Sequence, residues 1–152
     1  MKPFKVLIVD DDKVVREALK TFAETAEFEA VIAGNANEAL EEVRRNKFDL
    51  FVVDIGLPGK NGIELISDLR NKLNIHKPVI IVTGYGTGKN FIEASDLGVR
   101  YFLSKPFLSS SFVTSLKRAI VSGMEKNLYI KKDKEEDVQK YLMPIKIRRG
   151  AA

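Results

Sequence analysis

Five short apolar runs, each four to six residues long, recur along the chain, and amphipathic segments of helical length lie between them. The runs are Phe4–Val9, Phe28–Ala33, Leu50–Val53, Val79–Val82 and Val99–Leu103, all rich in Val, Ile and Phe. Helical periodicity marks Val14–Ala26, Asn37–Arg45, Gly62–Leu73, a short Asn90–Leu97, and Ser109–Val121. Strands without strict alternation are buried on both faces, as in parallel sheets. Strand and helix in regular succession predict an α/β fold, a doubly wound five-stranded parallel sheet with helices on both faces. Such sheets bind ligands at the carboxyl ends of their strands.

Polar groups gather at those ends. The first run leads into Asp10, Asp11 and Asp12, the third into Asp54, the fourth into Thr83 and the fifth into Lys105. Two like charges about 4 Å apart repel by roughly 4 kcal/mol at an effective dielectric near 20. A cation at this edge would offset that repulsion. The donors are oxygens, with no His or Cys nearby, so the expected ion is hard: Mg²⁺, or Mn²⁺. Lys105 adds a compact positive charge and Thr83 a hydroxyl donor. Metal, ammonium and hydroxyl around one carboxylate make a phosphoryl-transfer site, with Asp54 as the candidate nucleophile.

The composition narrows the classes. With 152 residues, 45% hydrophobic and 30% charged, the chain suits one globular domain with an appendage. It contains no Cys, which excludes disulfides and thiolate metal sites. No apolar run reaches membrane-spanning length and the first residues do not read as a signal peptide, so the expected location is cytoplasmic. The net charge is +4, but residues 123–152 hold eight Lys/Arg and five Asp/Glu against 17 and 16 elsewhere. The main domain is therefore nearly neutral, without the broad basic face of a nucleic-acid binder.

Four segments, VLIVDDDKVVREAL, FVVDIGLPGKNGIEL, IVTGYG and YFLSKPF, resemble the CheY-like receiver domain of two-component response regulators over roughly residues 3–122. The resemblance implies strand order 2-1-3-4-5. It implies Asp54 as phosphoacceptor; Asp10, Asp11, Asp54 and the Gly56 carbonyl as Mg²⁺ ligands, Asp11 directly and Asp10 partly through water; and Lys105 before a cis peptide to Pro106. Thr83 and Phe102 correspond to the switch hydroxyl and switch aromatic, and Gly84 to a small residue leaving room for the phosphoryl group. Arg16, five residues beyond Asp11, identifies Asp10 and Asp11 as the acidic pair, leaving Asp12 as a helix N-cap. The implied partners are a sensor histidine kinase or phosphotransfer protein and an output protein or domain, without direct nucleic-acid binding. The implied activity is that of a phosphoacceptor with slow self-dephosphorylation, not of an enzyme. The alternative is the receiver portion of a longer DNA-binding regulator.

Some positions depart from the family pattern. Leu57-Pro58 stands where Met-Pro is common, and Tyr101 where an acid often precedes the switch aromatic. The second change, with Arg100 beside it, argues against dimerisation through helix four, strand five and helix five. A phosphatase with an aspartyl nucleophile would want an acid at Gly56. GYGTGKN fails as a phosphate loop, because Thr83 occupies its first glycine position and Asn90 follows the lysine; its glycines are expected to serve loop motion. Tyr85 is a candidate for tuning access to Asp54, and His76 reads as a solvated loop residue. The expected domains are a receiver over 1–122 and a charged, partly helical extension over 123–152. Phe112, Leu116, Ile120, Met124 and Leu128 step by four, so helix five is expected to continue over 124–131 and to serve a homodimer or an output element. Gly123 opposes that continuation. The terminal IKIRR reads as a solvated end.

Overall fold

The computed structural model describes residues 2–84 and 88–125. Strands β1 (Lys5–Val9), β2 (Glu29–Ala33), β3 (Leu50–Val53), β4 (Val79–Thr83) and β5 (Tyr101–Ser104) form one parallel sheet. Its order is β2-β1-β3-β4-β5. Helices α1 (Lys13–Thr25), α2 (Ala36–Arg45), α3 (Gly62–Ser67), α4 (Gly88–Asp96) and α5 (Ser109–Glu125) make the crossovers. The predicted doubly wound fold is the one observed. Tyr85, Leu128 and every expectation for residues 126–152 lie outside the described residues.

The pleat divides the core in two. Val6 and Ile8 of β1 point with Val52, Ile80 and Val82 toward α1 and α5, where Leu19, Phe112 and Leu116 are fully buried. Leu7 and Val9 point the other way with Phe51, Val53 and Ile81, against Ala39, Leu65, Ile66 and Ala94. Each such side chain stabilises the fold by about 1.5–3 kcal/mol when fully buried. Both faces are therefore closed, and the carboxyl edge of the sheet is left to carry polar groups.

One element differs from the sequence reading, and the continuation expected for helix five holds as far as the described residues reach. The helix expected over Gly62–Leu73 is α-helical only to Ser67 and continues as a π-helical turn, Asp68–Lys72, with the Leu73 amide donating to the Asp68 carbonyl. The wider turn accompanies burial of three successive residues, Asp68, Leu69 and Arg70, more than one α-helical face usually turns inward. Helix α5 runs through Gly123 to Glu125. A Cβ on Gly123 would lie 2.6 Å from Pro78 Cγ, so the absence of a side chain lets the helix end pack on that ring.

Candidate phosphoacceptor site

β1 and β3 are neighbours, so their carboxyl ends place Asp10 and Asp54 side by side. Both are buried, while Asp11 is exposed. One oxygen from each of the three carboxylates lies within 4.8 Å of the others. Lys105, following β5, reaches across the end of β4. Its Nζ donates to Asp10 Oδ2 at 2.6 Å and to Asp54 Oδ2 at 2.9 Å. The charge offsetting the two buried carboxylates in this structure is thus the Lys105 ammonium, a role the sequence reading gave to a metal alone.

The other oxygen of each buried carboxylate also has a partner, which leaves about half of their four lone-pair sites open. Asp10 Oδ1 accepts the Asp12 amide at 2.9 Å, and Asp54 Oδ1 accepts the Gly56 amide at 2.9 Å. Burial raises the Asp10 carboxyl above its ordinary value, and the Lys105 hydrogen bond offsets this only in part. Burial pulls Lys105 down, but its bonds to Asp10 and Asp54 outweigh that and hold the ammonium above its ordinary value. The Asp11 carboxylate has no hydrogen bond among the described residues, and neither does the Gly56 carbonyl. This all-oxygen set, with one uncommitted carboxylate, fits a hard divalent cation.

Asp12 is the N-cap of α1, its Oδ1 accepting the Val14 and Val15 amides at 2.9 and 3.3 Å. Arg16 Nη1 donates to the carbonyls of Asp10 and Asp11 at 3.3 and 3.2 Å, bracing the backbone of the acidic pair. Thr83 is the last residue of β4, buried, and its carbonyl accepts the Lys105 amide at 2.9 Å. The Lys105–Pro106 peptide is cis. Phe102 is half-buried in β5, its ring centroid 4.8 Å from that of Phe91 on α4. The Tyr101 hydroxyl donates to the Arg118 carbonyl at 3.3 Å, tying β5 to α5, and Arg100 is exposed.

Two glycines near Asp54 sit in opposite surroundings. Gly84 has no described atom within 4 Å of the position a Cβ would take. At Gly62, by contrast, a Cβ would lie 2.3 Å from the Asp54 carbonyl oxygen. Asn61 caps α3 by accepting the Glu64 amide, and Gly62 N–H donates to Ile55 O at 3.0 Å, so α3 starts pressed against the Asp54 backbone. Its signal in the sequence is its place directly after the cap residue Asn61 at a helix start. Lys60 and Lys72 both pair with Asp68, linking the loop after Asp54 to the π-helical turn.

The chain is similar to known proteins in sequence and in shape. The model of the response regulator receiver domain matches residues 6–117. The phosphate regulon transcriptional regulatory protein PhoB of Pseudomonas aeruginosa is 34% identical over 116 residues, 76% of this chain and 51% of that protein. A probable transcriptional regulator, ycf29, of Pyropia yezoensis is 32% identical over 124 residues, 81% of this chain and 56% of that protein. The chain thus spans about half the length of these two relatives. A CheY-like receiver domain protein from Methanospirillum hungatei superposes with a TM-score of 0.77 at 28% identity, covering 82% of this chain and 98% of that one. The receiver domain of the Francisella response regulator 1452 gives 0.70 at 34% identity, covering 76% and 95%. The chain belongs to the family of response regulator receiver domains.

Proposed function

We propose that Asp54 accepts a phosphoryl group from the phosphohistidine of a sensor kinase or phosphotransfer protein. The observation that carries this reading is the Lys105 ammonium held between Asp10 and Asp54 at the carboxyl edge of the sheet. A carboxylate oxygen of Asp54 attacks phosphorus in line. The P–N bond breaks, its electron pair returns to the imidazole, and an acyl phosphate forms on Asp54. Lys105 is already within hydrogen-bond reach of that carboxylate, so it can follow a phosphoryl oxygen without rearrangement of the fold. Bound Mg²⁺, held by Asp11, Asp54, the Gly56 carbonyl and, partly through water, Asp10, would neutralise charge on the phosphoryl oxygens.

Thr83 then donates its hydroxyl to the modified Asp54, and Phe102 shifts relative to Phe91. The surface of α4, β5 and α5 changes as a result, and an output protein or domain reads it. The product returns its phosphoryl group to water slowly, so the chain serves as a switch rather than as an enzyme with a separate substrate. This reading places it in the cytoplasm; among the described residues no helix is long and apolar enough to cross a membrane. The transcriptional names of the longer relatives favour one alternative, a receiver that works as the switch of a DNA-binding regulator. Residues 1–122 would be the switch in either case, and 123–152 the extension. The test is intact mass after incubation with Mg²⁺ and a small acyl phosphate donor. One added phosphoryl group is expected, and none on Asp54→Asn; an undiminished adduct on that variant would overturn the assignment.

A further inference from the structure

Arg70 is 8% exposed, although it lies in a segment whose sequence reads as a surface helix. Its Nε donates to the Leu97 carbonyl at 2.9 Å, and its Nη1 to the Ile75 and Lys77 carbonyls at 2.8 and 2.9 Å. Nη2 has no hydrogen bond among the described residues, and no carboxylate there pairs with the guanidinium. A buried charge is ordinarily matched by an opposite one. Carbonyl dipoles satisfy part of this need and leave a full positive charge.

That charge borders a cleft of about 80 Å³. The cleft lies at the amino-terminal edge of the sheet, where Val79 opens β4 and Tyr101 opens β5, opposite the edge that carries Asp54. Arg100, His76 and Ser122 also line it, and among the described residues no acidic one does. The Ser122 hydroxyl has no hydrogen-bond partner among the described residues, while the His76 ring meets Asn74 Oδ1 through Nε2 at 2.8 Å. The volume is several times the roughly 10–15 Å³ that a single water needs on this measure. Donors thus converge on a space of several atoms from the π-helical turn, from the link before β5 and from α5.

We propose that this cleft binds a small tetrahedral oxyanion, phosphate either free or as the terminal group of a small monoester. A planar carboxylate offers two oxygens in one plane. A phosphoryl group offers three or more in different directions, which suits donors arriving from separate elements. Bound there, it would hold the end of α5, the α4–β5 link and the segment before β4 together. The site is independent of phosphoryl transfer at Asp54.

The test is a titration of the full chain, without Mg²⁺, followed through backbone amide NMR shifts. Inorganic phosphate and glycerol phosphate are compared with sodium chloride at matched ionic strength. Saturable shifts are expected at Gly98, Arg100, Ser122 and Gly123. Arg100→Gln, which leaves every Arg70 hydrogen bond in place, should weaken them roughly tenfold or more, as loss of one charge-assisted bond implies. Ser122→Ala should weaken them less. Saturation with both phosphates means that the phosphoryl group is recognised wherever it is carried, and saturation with inorganic phosphate alone means the free ion. Shifts that are linear, equal to those in chloride, or unchanged by Arg100→Gln would overturn the proposal.

Discussion

Lys105 stands 51 residues from Asp54 in sequence, yet its Nζ lies 2.9 Å from Asp54 Oδ2. Two neighbouring strand pairs produce this meeting. β4 lies between β3 and β5, and the side chain of Lys105 crosses its end. The same ammonium reaches Asp10, so one cation holds two buried carboxylates at the edge where a phosphoryl group would arrive.

Asp11 and Asp12 are adjacent in sequence and separate in role. Asp12→Ala should cost about 1 kcal/mol of stability, the usual worth of an N-cap, and leave Mg²⁺ affinity nearly unchanged. Asp11→Asn should do the reverse, because its exposed carboxylate has no partner to lose among the described residues. Denaturant unfolding and Mg²⁺ titration of both variants check the separation. Equal Mg²⁺ affinity in Asp11→Asn and the parent would remove Asp11 from the metal site.

Gly62 and Gly84 make a paired test of close packing near Asp54. A Cβ at Gly62 would collide with the Asp54 backbone, so Gly62→Ala should cost about 1–3 kcal/mol and slow phosphorylation. Gly84→Ala meets open space among the described residues and should leave stability almost unchanged. Thermal unfolding and the rate of adduct formation measure both.

Gly123 should answer to Pro78. In an open helix Gly→Ala gains about 1 kcal/mol. Here the new methyl would lie 2.6 Å from the Pro78 ring, so Gly123→Ala should destabilise instead. Adding Pro78→Ala should remove the clash and restore the helix-propensity gain. A double-mutant cycle by urea unfolding reads the coupling.

Asp68 supplies a pH test away from the acidic edge. Hydrogen bonding to Lys60, outweighing burial and helped by Lys72, holds its carboxyl below the ordinary value. A carboxylate with a depressed folded pKa stabilises above its unfolded value, near 3.9, and loses that contribution as pH falls through the folded value. Asp68→Asn should therefore cost about 1 kcal/mol at pH 7 and progressively less below pH ~4, since Lys60 and Lys72 are partly solvated. Urea midpoints of both proteins from neutral to acid pH show whether the curves converge.

The residues that sequence made legible share one property. Asp10, Asp54, Thr83 and Lys105 each stand at or just beyond the end of an apolar run, where parallel topology alone brings them to one edge. Arg70 was not legible, because a cation in an amphipathic segment reads as solvated, and its burial depends on carbonyls from two other segments. Gly62 and Gly123 were illegible as contacts for a similar reason. Their roles arise from the approach of Asp54 and Pro78, which no local pattern encodes. The π-helical turn escaped because its residues keep an ordinary helical pattern while the hydrogen bonding widens.

The most direct test of Asp54 as phosphoacceptor is reductive trapping. After reaction with an acyl phosphate donor and Mg²⁺, borohydride converts an aspartyl phosphate to homoserine, and peptide mass spectrometry locates it. The account predicts homoserine at Asp54 and nowhere else, with the yield sharply reduced in Lys105→Gln. Homoserine at Asp10, Asp11 or Asp12 with Asp54 intact, or an undiminished yield at Asp54 without the Lys105 ammonium, would contradict it.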